Sequence, residues 1–287
     1  MKLATFVRSG AQQAEIGVVT DAGVVPAPSG GAFAGLDMIG LIERWDELKG
    51  EVARWSQAGA ALPLASVRLL APIPRPGKML CMGLNYADHV AETGQATPPN
   101  QIWFCKQTTA AHGPYEPIDL PKASSRVDYE VEMVAIVGKK GRHVPKDKAA
   151  DLLFGYCVGN DVSARDWQVK SAQWMIGKSF DTHGPFGPWI TTADEVGDPH
   201  ALDISCKVNG ETRQSSNTKH LIFDVFDQVV ELSQAMTLEP GDVIYTGTPG
   251  GVGLAMKPPS FLKPGDTVTC EISKLGTIEG VMTPESA

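Results

Sequence analysis

A chain of 287 residues, 43% of them hydrophobic and 20% charged, has the composition of a globular protein and enough length for one substantial core with a small appendage. Twenty-five basic against thirty-three acidic residues give a net charge of −8, which argues against nucleic acid and anionic membrane surfaces as partners. No run of about 18 apolar residues is present for a membrane span, and Arg8 and Ser9 interrupt the first apolar stretch before it can serve as a secretory signal.

Lys2 to Val7 and Glu15 to Val25 read as strands, the second broken by the turn Asp21-Ala-Gly23. Met38, Leu41, Ile42, Trp45, Leu48, Val52 and Trp55 follow at three- and four-residue steps. They predict an amphipathic helix capped by Asp37 and bent or stopped near Gly50, with both tryptophans used for packing. Residues 1–70 thus form a small α+β N-terminal domain without a cluster of acids, bases or ligands. The proline-dense Ala71-Pro-Ile-Pro-Arg-Pro-Gly77 separates it from a second domain over residues 71–287.

Lys78 to Gly83 reads as a buried strand, and Asn85 to Gly94 as two helical turns ended by a glycine in the usual C-cap position. His89 and Glu92 are three apart and share one helical face. A carboxylate beside an imidazole fixes its tautomer and raises its basicity, as a general base requires; the alternative is a solvated surface pair. Ile102 to Lys106 is a further strand, which delivers Lys106 at its end. Five cysteines (Cys81, Cys105, Cys157, Cys206 and Cys270) are odd in number and never form C-x-x-C. Free buried thiols in a reducing, cytoplasmic compartment are expected.

Val127 to Val137 is rich in β-branched and aromatic residues and predicts one strand. Alternation puts Glu130 and Glu132 on the same side, roughly 7 Å apart, together with Val134 and Ile136. Paired carboxylates beside apolar residues require a positive partner, unless the strand is an exposed edge with both acids in water. The apolar stretch Phe154 to Gly159 ends in Asn160-Asp161, with Ser163 expected to cap a following helix. Two glutamates and one aspartate form a hard oxygen set suited to Mg²⁺, Mn²⁺ or Ca²⁺ with positions open for water and substrate.

Arg165 and Gln168 are again three apart; the guanidinium offers a planar fork for a carboxylate, or an ion pair to Asp166. Gly177-Lys178-Ser179 lacks the upstream glycine of a phosphate loop, where this chain has Ala172. Leu202 to Val208 with the turn Asn209-Gly210 predicts a hairpin, and Leu221, Val225, Val229 and Leu232 a helix capped by Thr218. Leu238-Glu-Pro-Gly-Asp242 is echoed by Leu262-Lys-Pro-Gly-Asp266. Between them, the amides of Thr246-Gly-Thr248-Pro-Gly-Gly-Val-Gly253 and the Thr248 hydroxyl form either a nest for a substrate carboxylate or a tight turn.

The segments Val127-Asp-Tyr-Glu-Val-Glu-Met133, Gly155 to Gln168, Gly177-Lys-Ser-Phe-Asp181, Gly187-Pro-Trp189, Val208-Asn-Gly-Glu211 and Leu238 to Gly253 together resemble the fumarylacetoacetate hydrolase family over roughly residues 72–287. The resemblance implies a β-rich α+β fold with a mixed β-sheet roll, and a homodimer. It implies one Mg²⁺ or Mn²⁺ per chain on Glu130, Glu132 and Asp161. His89 and Glu92 would be catalytic on a mobile segment that closes over the metal, flanked by Gln95 to Asn100, with Lys178 beside the ion. Lys106, Arg165, Gln168 and Thr248 would bind substrate. Gln107, His112 and His183 depart from the residues usual in the family. The implied activity is that of an acylpyruvase: hydrolysis of a C–C bond in a 2,4-diketo acid, giving pyruvate and a carboxylic acid. Oxaloacetate decarboxylation and keto–enol isomerisation of a 2-oxo acid are the alternatives within the family, and a catalytically silent metal-dependent binding protein the alternative outside enzymes.

Overall fold

The computed structural model describes residues 1–94 and 96–286, and opens with β1 (Lys2–Arg8), β2 (Glu15–Thr20), β3 (Gly23–Pro26), α1 (Met38–Glu43), α2 (Trp45–Ala58) and β4 (Val67–Leu69). Then come β5 (Met79–Gly83), α3 (Ala87–Thr93), β6 (Ile102–Lys106), β7 (Ala111–His112) and β8 (Ile118–Leu120). The middle of the chain holds β9 (Val127–Asp128), β10 (Val131–Val137), α4 (Lys146–Ala149), β11 (Leu153–Asn160), β12 (Ser163–Ala164), α5 (Arg165–Gln168) and α6 (Met175–Lys178). The remainder forms β13 (Gly184–Thr192), α7 (Ala193–Val196), β14 (Asp203–Val208), β15 (Glu211–Asn217), α8 (Val225–Ala235), β16 (Val243–Tyr245), β17 (Thr267–Ile272) and β18 (Gly276–Pro284).

Eleven strands make one mixed sheet in the order β3-β2-β1-β13-β11-β10-β16-β5-β6, with β4 on β1 and β7 on β13. Five more follow the order β15-β14-β17-β18-β8, and β9 pairs with β12. The fold is α+β and β-rich, as expected. β1 pairs antiparallel with β13, Leu3 opposite Ile190, so the first strands extend the same sheet that carries β10 and β11. No helix among the described residues is long and apolar enough to cross a membrane.

β10 lies between β11 and β16, and all seven of its residues are buried. Its alternation feeds two cores. Val131, Met133, Ala135 and Val137 pack toward the five-stranded sheet and α8, among Ile204, Val268 and Val229. Val134 and Ile136 face the opposite way, into a core with Leu41, Leu48 and Val52 of the two early helices. The single strand expected from Val127 is interrupted at Tyr129 and Glu130, because side chains replace the ladder there. Asp128 Oδ1 accepts the Tyr129 amide at 3.0 Å, and Asn160 Oδ1 accepts the Glu130 amide at 3.0 Å.

Several local expectations are met and two are corrected. Asp37 caps α1 as expected, accepting from the Gly40 amide at 2.8 Å. The helix breaks at Arg44 rather than near Gly50, with the Arg44 guanidinium bonding the Ala32 carbonyl at 3.0 Å and Glu47. Trp55 stacks on Phe33 at 5.0 Å and Trp45 meets Phe154 edge-on at 5.1 Å, so both do pack. The cap of α8 is Asp224 and not Thr218: Asn85 draws the Ile222 and Phe223 amides away with its own backbone and side-chain oxygens, and the helix starts only after them. Asn209 (φ 52°) and Gly210 (φ 80°) make the expected hairpin turn. The echoed Pro-Gly-Asp turns are also alike in structure, since Asp242 accepts the Glu239 amide at 2.9 Å and Asp266 the Lys263 amide at 2.7 Å.

Candidate active site and metal centre

The start of β10 and the end of β11 run side by side, Val131 opposite Asn160. The Asp161 amide donates to the Glu130 carbonyl at 2.8 Å, which sets the aspartate next to the two glutamates. Ligand oxygens of Glu130, Glu132 and Asp161 all lie within 4.8 Å of one another, with the three residues only 5%, 1% and 0% exposed. Ser163 does not cap α5; its hydroxyl donates to the Asp161 carbonyl at 2.8 Å and braces the strand tip.

Three buried cations surround this triad. Lys178 Nζ sits 2.7 Å from Glu130 Oε2 and 2.7 Å from Asp161 Oδ2. Arg165 reaches Glu130 Oε1 through Nη1 at 2.6 Å and Asp128 Oδ2 through Nε at 2.8 Å. Lys106 contacts Asp161 Oδ1 and the Val162 carbonyl. Burial disfavours the Glu130 carboxylate, yet Lys178, Arg165 and His89 hold it well below the usual range. Glu132 behaves oppositely. Burial, then Asp161 and Glu130, push its carboxyl well above the usual range, and Lys178 and the Gly247 amide only partly offset them.

With all four ionised, the buried acids Asp128, Glu130, Glu132 and Asp161 exceed the cations Lys106, Arg165 and Lys178 by one charge, and the raised Glu132 carboxyl is the mark of that excess. An all-oxygen triad with such an excess fits a hard divalent cation such as Mg²⁺ or Mn²⁺. One dication and one substrate carboxylate would bring the cluster to neutrality.

A cavity of about 390 Å³ opens above Glu130 and Glu132, and His89, Glu92 and Lys178 stand in its wall. His89 Nδ1 lies 2.8 Å from Glu92 Oε1, and Glu92 Oε2 accepts the Gly251 amide at 2.8 Å. Asp88 adds a second tie, from its Oδ2 to the Ser216 hydroxyl at 3.0 Å, with Oδ1 3.3 Å from the Gly250 amide. α3 is thus held against the glycine-rich turn. Gly94 ends it in the left-handed conformation (φ 67°), as expected; Gln95, the first residue of the anticipated flank, lies outside the described residues.

Arg165, Gln168 and Thr248 also line the cavity. Gln168 Oε1 accepts from Arg165 Nη1 at 3.0 Å, while Arg165 Nη2 is buried without a hydrogen-bond partner. Such an orphaned cationic donor calls for an oxygen. Thr248 donates its hydroxyl proton to the Val131 carbonyl at 3.0 Å and accepts from Gln214 at 2.8 Å, so toward a ligand it is left to accept. Lys106 does not line the cavity; it lies behind Asp161.

The glycine-rich turn is a nest already filled by the protein's own acids. Its amides serve Glu132 (from Gly247), Glu92 (from Gly251) and Asp128 (from Gly253, 2.8 Å, and Leu254, 2.9 Å). At Gly251 (φ 104°) a Cβ would lie 1.9 Å from the Arg213 carbonyl oxygen, so glycine is required. Asp128 had no role in the sequence reading. Its only signal was an acid next to Tyr129 in an apolar strand, and it fixes Arg165 against the turn. Gln107, His112 and His183 do not line the cavity. Burial pushes His183 down to about 3, with Nε2 on the Asp119 carbonyl at 2.9 Å.

Residues 78–283 match the model of the fumarylacetoacetate (FAA) hydrolase C-terminal family. The chain belongs to the fumarylacetoacetate hydrolase family. Within this family, the mitochondrial oxaloacetate tautomerase of Rattus norvegicus is 49% identical over 245 residues, covering 84% of this chain and 78% of its own. A maleylpyruvate hydrolase from a Sphingobium species, crystallised with manganese(II) and pyruvate, matches the fold with a TM-score of 0.84 and 33% identity over the whole of both chains. A 5-carboxymethyl-2-hydroxymuconate delta-isomerase from Mycobacterium smegmatis does so at 0.79 and 34%, again over both chains entirely. The fumarylacetoacetate hydrolase family thus gathers hydrolases, isomerases and tautomerases around one fold, and this member carries a buried acidic triad able to hold a divalent ion.

Proposed function

We propose that this chain hydrolyses a C–C bond in a 2,4-diketo acid of the acylpyruvate type, releasing pyruvate and a carboxylic acid. The observation that carries the reading is the His89–Glu92 pair, 2.8 Å apart, in the wall of the cavity that contains Glu130 and Glu132. A divalent cation on Glu130, Glu132 and Asp161 supplies, when bound, the Lewis acidity that makes an enolate a feasible leaving group.

The remaining steps fall to side chains. Arg165 offers Nη2 to the substrate carboxylate, and Lys178 places positive charge where the 2-oxo oxygen becomes negative. With Nδ1–H directed at Glu92, the His89 lone pair is on Nε2, which takes a proton from water as the hydroxyl adds to the distal carbonyl. The bond between C3 and C4 then breaks, its electrons pass into the enolate, and the proton held by His89 returns to C3. Water is consumed and both products leave balanced.

A second reading is keto–enol tautomerisation of oxaloacetate, favoured by the 49% identity to the rat tautomerase. There His89 would move one proton between C3 and the enol oxygen, without water. Decarboxylation of oxaloacetate needs no such base. Purified enzyme with Mn²⁺ and with EDTA should be given acetylpyruvate and oxaloacetate, following pyruvate release and enol absorbance. Pyruvate from acetylpyruvate, abolished by EDTA and reduced about 10²–10⁴-fold in His89→Ala, is expected. Unchanged hydrolysis in that variant, or oxaloacetate interconversion with no acylpyruvate cleaved, overturns the hydrolytic assignment.

A further inference from the structure

The two ends of the substrate cavity differ in chemistry. Its floor is ionic, formed by Glu130, Glu132, Arg165 and Lys178, all nearly inaccessible to solvent. Its mouth is mostly apolar, and the exposed Glu92 adds an acid there, not a cation. Val169 and Leu254 line the mouth, yet remain 71% and 42% exposed, among the most exposed large apolar side chains of the described residues. Val252, 1% exposed, adds apolar surface deeper in the cavity.

An aromatic wall joins floor to mouth. Lys178 Nζ stands 4.9 Å over the Phe104 ring, and Phe104 meets Trp174 at 5.6 Å. Trp174 lies so close to β5 that a Cβ on Gly83 would be 2.4 Å from its ring. The glycine leaves the indole room to line the cavity. The basic side chains of the lining are His89, Arg165 and Lys178, each engaged with an acid of the floor or its dyad; among the described residues no cation lines the mouth.

We propose that the mouth selects 2-oxo acids whose far end is an uncharged hydrocarbon group, aliphatic or aromatic, over those ending in a second carboxylate. The proposal rests on reading the cavity as a 2-oxo acid site, but not on which reaction follows. A second carboxylate between Phe104, Trp174, Val169 and Leu254 would lose water without gaining a cation. A hydrocarbon group would instead cover apolar surface that is now exposed.

The test is calorimetric titration of the Mg²⁺-loaded enzyme with 2-oxooctanoate and 2-oxoglutarate. They share the head group, and neither has the 4-oxo group needed for hydrolysis. We expect 2-oxooctanoate to bind at least about tenfold more tightly. Leu254→Lys and Val169→Lys alter exposed positions, so folding is preserved, and each should shrink or reverse that ratio. Equal or tighter binding of 2-oxoglutarate to the unaltered enzyme, or a ratio unmoved in both variants, overturns the proposal. A failure to cleave acylpyruvates would remove the hydrolytic reading alone and leave the binding ratio standing.

Discussion

Replacing Lys106 with methionine removes an ammonium while keeping a long apolar stem. Its partner Asp161 would stay behind, and both side chains are 0% exposed. Taking one member from a buried ion pair costs about 3–5 kcal/mol, and because Lys178, 2.7 Å from Asp161 Oδ2, still compensates part of the charge, the low end, about 3 kcal/mol, is expected here. In a chain of this length each kcal/mol lowers Tm by a little under about 2 °C, so the metal-free variant should melt about 5 °C below the unaltered protein. A bound divalent ion would take over part of the neutralisation of Asp161, and the gap should narrow when Mn²⁺ is present. Calorimetric melting in EDTA and in Mn²⁺ reads both effects. Because Lys106 lies behind Asp161 and not in the cavity wall, KM should change little. A metal-free Tm loss below about 2 °C, or a large rise in KM with Tm intact, would show that the lysine serves the substrate and not the aspartate.

Glu132→Gln should separate metal binding from folding. Its amide oxygen can still accept from Gly247, and the change relieves a carboxylate crowded by Asp161 and Glu130. The metal-free Tm should therefore hold or rise, while Mn²⁺ affinity falls by more than about tenfold, as removal of a hard oxygen ligand requires; full retention of affinity would take Glu132 out of the ligand set. His183→Phe addresses acid stability. Burial holds this imidazole down to about 3, against about 6.5 in an unfolded chain. Between those values the unfolded state takes up a proton that the folded state refuses, so the contribution of His183 to stability is present above the unfolded value and is lost as pH falls. From pH 7 to pH 5 that loss amounts to about 2 kcal/mol, and the phenylalanine variant should lack it in urea unfolding. An identical pH dependence in both proteins would contradict the burial argument.

Much of the site could be read from local patterns. Glu130 and Glu132 follow from strand alternation, Asp161 from its place at a strand tip, and His89 with Glu92 from helical spacing. Each of these depends on backbone periodicity within a few residues. What escaped the sequence depends on contacts across long separations. The acids filling the glycine-rich turn come from 115 to 159 residues away, so a turn open to substrate and one closed by the protein's own carboxylates look alike in sequence. The same holds for Lys106, whose strand was legible but whose partner, 55 residues on, was not. The interruption at Tyr129 and Glu130 was hidden because the residues there still alternate correctly; only the amides change partners. Asp224 displaced Thr218 as a cap through Asn85, 138 residues upstream of Phe223.

β10 is pinned from both sides, and this limits how the enzyme can diverge. Sliding it by one position would turn Met133 and Ala135 out of one core and Val134 and Ile136 out of the other, a double penalty that forbids slippage. The spacing of the two glutamates is inherited from that lock and cannot drift without rebuilding both interiors. New specificities on this scaffold must therefore arise in the segments that border the cavity away from both the ion-holding acids and the His89–Glu92 pair: the approach to α6 and the turn before Leu254.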